Sequence, residues 1–266
     1  MHTWTAPGGV RLRFRDLGSG PPVVLLHAFP LEGELFEPQW SALAGRARFV
    51  VPDLRGFGGS SGGSGPSEMS AMADDVLRLL DHLGIASAVV GGVSMGGYVS
   101  LALLRNDPGR VRALVLADTQ TSADDDQART NRETTARDVL AKGPAALLPS
   151  VAKLLGPAAS SEIRERVARW ISSGSPEGLA AAQRGMALRP DARDILARFG
   201  GPVLVLVGGD DVLTPPGKAR AMADLVPGAV LVEIPGAGHL ANLEKPTAFN
   251  AALARFLDRV HAAASR

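Results

Sequence analysis

The stretch Gly92-Val93-Ser94-Met95-Gly96 places one hydroxyl between two glycines, directly after an apolar run and directly before a helical one. The spacing G-x-S-x-G suits a sharp turn from strand into helix with the serine at its apex. Glycines two residues before and two after leave room for a backbone that side chains would obstruct. The hydroxyl then projects from the turn. The Met95 N–H points the same way, at a helix start where orphan donors and the dipole favour negative charge. A hydroxyl is a weak nucleophile at neutral pH, so this chemistry needs a general base and an acid that orients the base. In a chain with 31 glycines the same motif is also what an incidental turn looks like, so the partners must decide.

The chain has five histidines. His2, His82 and His261 sit at the terminus or within helical patterns and read as surface residues. His27 ends an apolar run and reads as a core histidine with satisfied hydrogen bonds. His239 lies in IPGAGHLANLEKP, just past the last apolar run, where a parallel sheet places its chemistry. The orienting acid should come from a similar loop. VLVLVGGDDVLTPP offers Asp210 and Asp211, with Asp211 preferred and Asp210 a solvated neighbour; Asp118, past another run, is the fallback. A second oxyanion donor is expected at Phe29, which Pro30 biases toward extended geometry in His27-Ala28-Phe29-Pro30. The Phe29 and Met95 N–H groups would then form an oxyanion hole.

These residues need a scaffold that brings separate loops to one edge. Val10, Leu12 and Phe14 alternate with arginines, as in a half-buried antiparallel strand, and residues 3–6 can pair with it through the turn at 7–9. Unbroken apolar runs at 22–27, 48–52, 87–92, 112–118, 202–209 and 229–236 predict strands buried on both faces, hence a parallel sheet. Helical patterns at 69–84, 96–107, 218–227 and 248–263 alternate with them, which predicts an α/β fold with helices on both faces of the sheet. Between 120 and 200 only helical spacing appears. We expect a core built from 1–119 and 201–266, and a helical lobe at 120–200 that does not fold separately. The stretch GFGGSSGGSGPS at 56–67 reads as a loop, its second half a flexible surface connection.

Composition narrows the function. Hydrophobic residues make up 45% of the 266 and charged residues 21%, as in an ordinary globular protein. Basic and acidic residues number 28 and 27, which predicts no nucleic-acid or membrane partner. With no cysteine there is no disulfide, thiolate metal site or cysteine nucleophile, a composition that fits a cytoplasmic protein. MHTWTAPGGV lacks a basic segment followed by an apolar one, so no signal peptide is expected. No apolar run is long enough to span a bilayer. No metal or organic cofactor is implied, and nothing sets an oligomeric state.

With these residues in place, the chain resembles the α/β-hydrolase family over nearly its whole length. HAFP at 27–30, DLRGFGGS at 53–60, GVSMGG at 92–97, GGDDVLTP at 208–215 and GAGHLANLEKP at 236–246 occur in the family's order. The resemblance implies a mostly parallel eight-stranded sheet and a helical cap after strand six, matching 120–200. The family's G-x-x-D-x-x-x-P spacing fits Gly208, Asp211 and Pro215 and supports Asp211. The DLRGFGGS loop is chiefly structural in the family, so neither Asp53 nor Arg55 is assigned to catalysis. Ala28 departs from the family's usual glycine; if that position requires a positive φ, alanine strains the hole. A serine nucleophile argues against epoxide hydrolases and haloalkane dehalogenases.

The expected activity is hydrolysis of small, largely apolar carboxylic esters or lactones through an acyl-enzyme on Ser94, with His239 as base and Asp211 holding its tautomer. Activity should fall in acid as the imidazole takes up a proton. The chain looks similar to small bacterial esterases, 3-oxoadipate enol-lactonase and cofactor-free perhydrolases. Peracid formation and carbon–carbon bond hydrolysis would use the same residues. A rival from another class is a ligand-binding protein on the same fold with an idle site. Leu148, Trp170 and Met186 are the candidate pocket residues, from a set that also holds Leu147, Val151, Leu154, Leu155 and Ile171. Arg129, Arg132 and Arg184 are cations that a dicarboxylate lactone would need, read here as solvated.

Overall fold

Six apolar runs become six parallel strands. Five are buried on both sides and can leave no backbone group unpaired, whereas the run at 229–236, expected to be buried likewise, forms the sheet edge with Leu231 and Glu233 exposed. A computed structural model describes residues 1–62 and 65–264. Its strands are β1 His2–Thr5, β2 Arg11–Gly18, β3 Pro22–Leu26, β4 Arg48–Pro52, β5 Ala88–Val93, β6 Val111–Ala117, β7 Val203–Gly208 and β8 Val230–Ile234. They form one eight-stranded sheet in the order β1-β2-β4-β3-β5-β6-β7-β8. β1 and β2 run antiparallel, with Trp4 opposite Leu12, and β2 is antiparallel to β4. The remaining pairs are parallel, with Val24 opposite Val90 and Leu116 opposite Val205.

The helices are α1 Glu37–Leu43, α2 Met69–His82, α3 Met95–Asn106, α4 Asp126–Lys142, α5 Val151–Leu154, α6 Ser161–Ser172, α7 Pro176–Ala187, α8 Arg193–Ala197, α9 Pro216–Ala223, α10 Ala241–Glu244 and α11 Pro246–Ala264. The four helices expected from periodicity are α2, α3, α9 and α11. The short α1 and α10 have too few turns to show a period. Central strand residues such as Val23, Val90, Leu114 and Leu204 are fully buried, and so are Leu79, Leu103 and Leu253 of α2, α3 and α11.

Between β6 and β7 the chain is helical, from α4 to α8. Three of these helices begin at side-chain caps, each satisfying an orphan N–H of the first turn. Asp125 accepts from Ala128 N at 2.8 Å, Ser160 from Ile163 N at 3.3 Å and Ser175 from Gly178 N at 3.2 Å. The 56–67 loop is half built into the fold: Asp53 accepts from Gly59 N, and the Ser60 hydroxyl donates to Asp53 O. Of its expected flexible half, Gly63 and Ser64 lie outside the described residues. Among the described residues no helix is long and apolar enough to cross a membrane.

Candidate active site

Ser94 stands between β5 and α3 with φ 54° and ψ −114°, in the left-handed half of backbone space that a side chain disfavours. The surrounding backbone holds it there. Its N–H donates to Ala117 O at 2.9 Å, and its carbonyl accepts from Gly97 N at 2.9 Å and from the Thr119 hydroxyl at 2.8 Å. Strain of this kind persists only where neighbours over-determine the geometry. Neither flanking glycine has a positive φ; both are needed for close approach. A Cβ on Gly92 would collide with the Gly96 backbone, and one on Gly96 with Leu26 O at the end of β3. Met95 opens α3, so its N–H is among the unpaired donors of a helix start.

Asp211 follows β7 and His239 follows β8, and both are buried. The two loops interlock: Asp210 N donates to Ala237 O at 2.8 Å, and a Cβ on Gly208 would strike Gly238 O. Asp211 Oδ2 lies 2.8 Å from His239 Nδ1 and accepts the Thr214 hydroxyl at 2.7 Å; Oδ1 accepts from Leu213 N at 2.8 Å and Thr214 N at 3.0 Å. Burial opposes ionisation of this carboxyl most strongly. The hydrogen bond and charge of His239 and the Thr214 donors outweigh it, so the Asp211 pKa lies below the usual carboxylate range. Asp210 is exposed.

The other candidates fall elsewhere. Asp118 is fully buried with φ 46°, and its oxygens accept from Gly208 N at 2.8 Å and Ala241 N at 3.3 Å. It ties the end of β6 to the loops carrying Asp211 and His239, and does not bond the imidazole. His27 is a saturated core group: Nδ1 donates to Ala28 O and Nε2 accepts from Leu54 N, both at 3.0 Å. Asp53 is consumed by Arg13 and by Gly33 N and Gly59 N, and Arg55 by Asp75. Among the described non-glycine residues only Ser94 and Asp118 have positive φ, so Ala28 carries no such strain. The Phe29–Pro30 peptide bond is cis.

A cavity of about 540 Å³ is lined by Ser94 and His239 together with Phe29, Tyr98, Gln120 and Arg132. Met186, Leu147 and Leu154 also line it. Leu148 and Trp170 do not. Leu148 is exposed on a separate shallow depression, because a one-residue step in the 144–150 turn faces it away from Leu147. Trp170 packs its ring under the Arg166 guanidinium at 4.8 Å on α6. Arg129 is half exposed and Arg184 pairs with Glu133, but Arg132 is not solvated as expected: it is largely buried against Asp124. Thr214, Tyr98 and Gln120 escaped the sequence reading. Thr214 had a signal, being a hydroxyl three residues after a loop aspartate; Gln120 had none.

The fold and site have relatives. An esterase from Thermogutta terrifontis, solved with malate bound, is 40% identical, with a TM-score of 0.95 over 98% of both chains. The pimeloyl-acyl-carrier-protein methyl ester esterase of Chromobacterium violaceum is 33% identical over 94% of this chain and 99% of that one. The 3-oxoadipate enol-lactonase 2 of Acinetobacter baylyi is 28% identical over 94% of each. A family model described as the alpha/beta hydrolase fold matches residues 21–246, and the chain belongs to that family.

Proposed function

We propose that this protein is a serine hydrolase that cleaves small carboxylic esters or lactones through an acyl-enzyme, with Ser94 as nucleophile, His239 as general base and Asp211 as the orienting acid. The observation that carries the reading is the 2.8 Å bond between Asp211 and His239, with His239 and the strained Ser94 on one cavity. A carboxylate only accepts, so His239 Nδ1 bears the proton and Nε2 is left as the base. His239 takes the Ser94 proton as Oγ attacks the carbonyl carbon. The Phe29 and Met95 N–H groups receive the oxyanion. His239 then protonates the departing alkoxide. Water, deprotonated by His239, adds to the acyl carbon and expels Ser94 Oγ, releasing the acid. In a lactone the alkoxide stays tethered and the chemistry is unchanged. The 120–200 segment acts as a cap, since α4, the 144–150 turn and α7 supply much of the cavity wall.

A p-nitrophenyl ester series tests this. Wild type should turn over short acyl esters, Ser94→Ala should fall to the uncatalysed rate, and an organophosphonate adduct should map to Ser94. Equal, slow turnover by both proteins would leave a binding protein on a hydrolase fold.

A further inference from the structure

The cavity has a charged wall. Asp124, just before α4, is shared by two guanidiniums: Arg132 Nε donates to Oδ2, and Arg189 Nη2 lies 2.7 Å from Oδ1. The three side chains are 4%, 19% and 4% exposed for Asp124, Arg132 and Arg189, so one uncompensated positive charge lies largely out of water. Such a charge is costly unless an anion or a set of acceptors answers it. Arg189 donates to the carbonyls of Met186 and Ser122 and stacks on Tyr98 with 4.1 Å to the ring centroid, while its buried Nε has no hydrogen-bond partner among the described residues. Arg132, unlike Arg189, lines the cavity. Of its five donors, one goes to Asp124 Oδ2, one to Gln183 Oε1 at 3.1 Å, one to the weak acceptor Met186 Sδ at 3.3 Å, and one reaches Asp124 Oδ1 only at 3.5 Å. That leaves a donor on a guanidinium that lines the cavity.

Besides His239, the other ionic groups of the lining are Asp138 and Lys153. Asp138 is taken by Lys142 at 2.7 Å. Lys153 also lines the cavity and, among the described residues, makes no ion pair. Two cations (Arg132 and Lys153) and two carboxylates (Asp124 and Asp138) line the cavity, and Arg189 and Lys142 reach those carboxylates from outside the lining. Both carboxylates are occupied, and the under-used donors on the cavity wall belong to Arg132 and Lys153.

We propose that the cavity selects esters carrying a second, ionised carboxylate, received by Arg132 and assisted by Lys153. The planar guanidinium suits a carboxylate, and the bound anion would offset the excess charge of the Arg132–Asp124–Arg189 cluster. The proposal rests on the esterase reading and names its substrate class.

The test compares monomethyl glutarate (anion on the acyl side) and 4-acetoxybutyrate (anion on the alcohol side) with methyl butyrate and butyl acetate, by pH-stat at pH 7.5. Wild type should favour at least one anionic ester over its neutral counterpart by tenfold or more in kcat/KM, and the favoured member tells which side of the ester faces Arg132. Arg132→Met should lower kcat/KM for that ester at least tenfold more than for the neutral one, mainly through KM. Lys153→Met, a change at an exposed position, should raise the same KM about threefold. Glutarate should inhibit wild type competitively where its diamide does not, a comparison that needs no variant. Equal rates on charged and neutral esters would overturn the proposal. So would an Arg132→Met enzyme that keeps the anionic preference and gains on longer neutral esters, which would make Arg132 a wall. The hydrolase reading fails separately, if Ser94→Ala retains turnover. In that case glutarate should still raise the melting temperature of Ser94→Ala and leave that of Ser94→Ala/Arg132→Met unchanged.

Discussion

His239 Nδ1 lies 2.8 Å from Asp211 Oδ2, although 28 residues separate them. The pairing is set by two interlocked loops, and four donors fix the carboxylate, so the imidazole has one tautomer and one direction. Asp211→Asn keeps the size but presents an amide that can donate to Nδ1 and so favour the wrong tautomer. We expect kcat to fall by about 10⁴-fold, as when the equivalent group is neutralised in a serine protease triad, with the far-ultraviolet circular dichroism unchanged. A loss under tenfold would remove Asp211 from its orienting role.

Thr214 gives a finer test of the same relay. Its hydroxyl donates to Asp211 Oδ2 and sits 3.3 Å from His239 Nδ1. Thr214→Val preserves shape and removes the donor. A hydrogen bond to a charged group contributes about 1.5–3 kcal/mol, and only part of that should reach the transition state. We expect kcat to drop roughly tenfold with KM within about twofold. An unchanged kcat would confine Thr214 to packing the loop.

The strain at Ser94 is measurable apart from catalysis. Ser94→Ala and Ser94→Gly both remove the nucleophile, but only glycine adopts φ 54° and ψ −114° without penalty. Such backbone strain costs about 1–3 kcal/mol, partly offset by the larger unfolded-state entropy of glycine. Ser94→Gly should therefore be more stable than Ser94→Ala by about 1 kcal/mol in urea unfolding. The reverse order would mean that the turn is relaxed.

Much of this was readable in the chain. Strands buried on both faces must be unbroken apolar runs, so β3 to β7 announce themselves, while β8 shows as a run although it is a part-exposed edge strand. With Ser94, Asp211 and His239 each just beyond a run, the sheet end that gathers them is legible too. The cavity wall was less readable. Helical periodicity tells which face of α4 or α6 is apolar, but not which neighbour it meets. Trp170 is apolar and faces away from the cavity, whereas Arg132 is charged and faces into it, because Asp124 and Gln183 give its guanidinium partners from other segments. Asp118 looked like an acid for the same reason that Asp211 did, its place past a strand. Only the directions of Gly208 N and Ala241 N separate their roles.

The two buried aspartates should respond to pH with opposite signs. Burial, and then the charge of Asp211, push the Asp118 carboxyl well above its usual range, against the pull of two backbone N–H groups. The native state then keeps a proton that the unfolded chain releases near pH 4. The stabilisation from Asp118 is full below that point and is lost as pH rises toward the folded value. Asp211, held low in the fold, stabilises above about pH 4, and its contribution is lost as pH falls through the folded value. The melting-temperature gap between wild type and Asp118→Asn should narrow from pH 4 to pH 8, while the gap to Asp211→Asn should open from pH 3 to pH 5. A gap to Asp118→Asn that widens with pH would mean that Asp118 is ionised in the fold.

Glu244 offers the last test, because it joins the base to the cap. One carboxylate oxygen accepts from Gly238 N at 2.9 Å, beside His239; the other accepts from Gly156 N at 2.8 Å, in the helical segment. The two glycine backbones are pressed together: a Cβ on Gly156 would sit 2.9 Å from Gly238 N, and one on Gly238 would strike Gly156. Glu244→Gln keeps one acceptor and turns an amide N–H₂ toward the other backbone N–H, leaving a buried donor unmet at about 1–3 kcal/mol. The loss should appear twice. The melting temperature should fall, and kcat should drop severalfold with KM within about twofold, since the imidazole is still paired but less well aimed. A variant that melts early yet keeps full kcat would limit Glu244 to holding the cap on the core. A variant that keeps both would show that the glycine contact alone holds the loop.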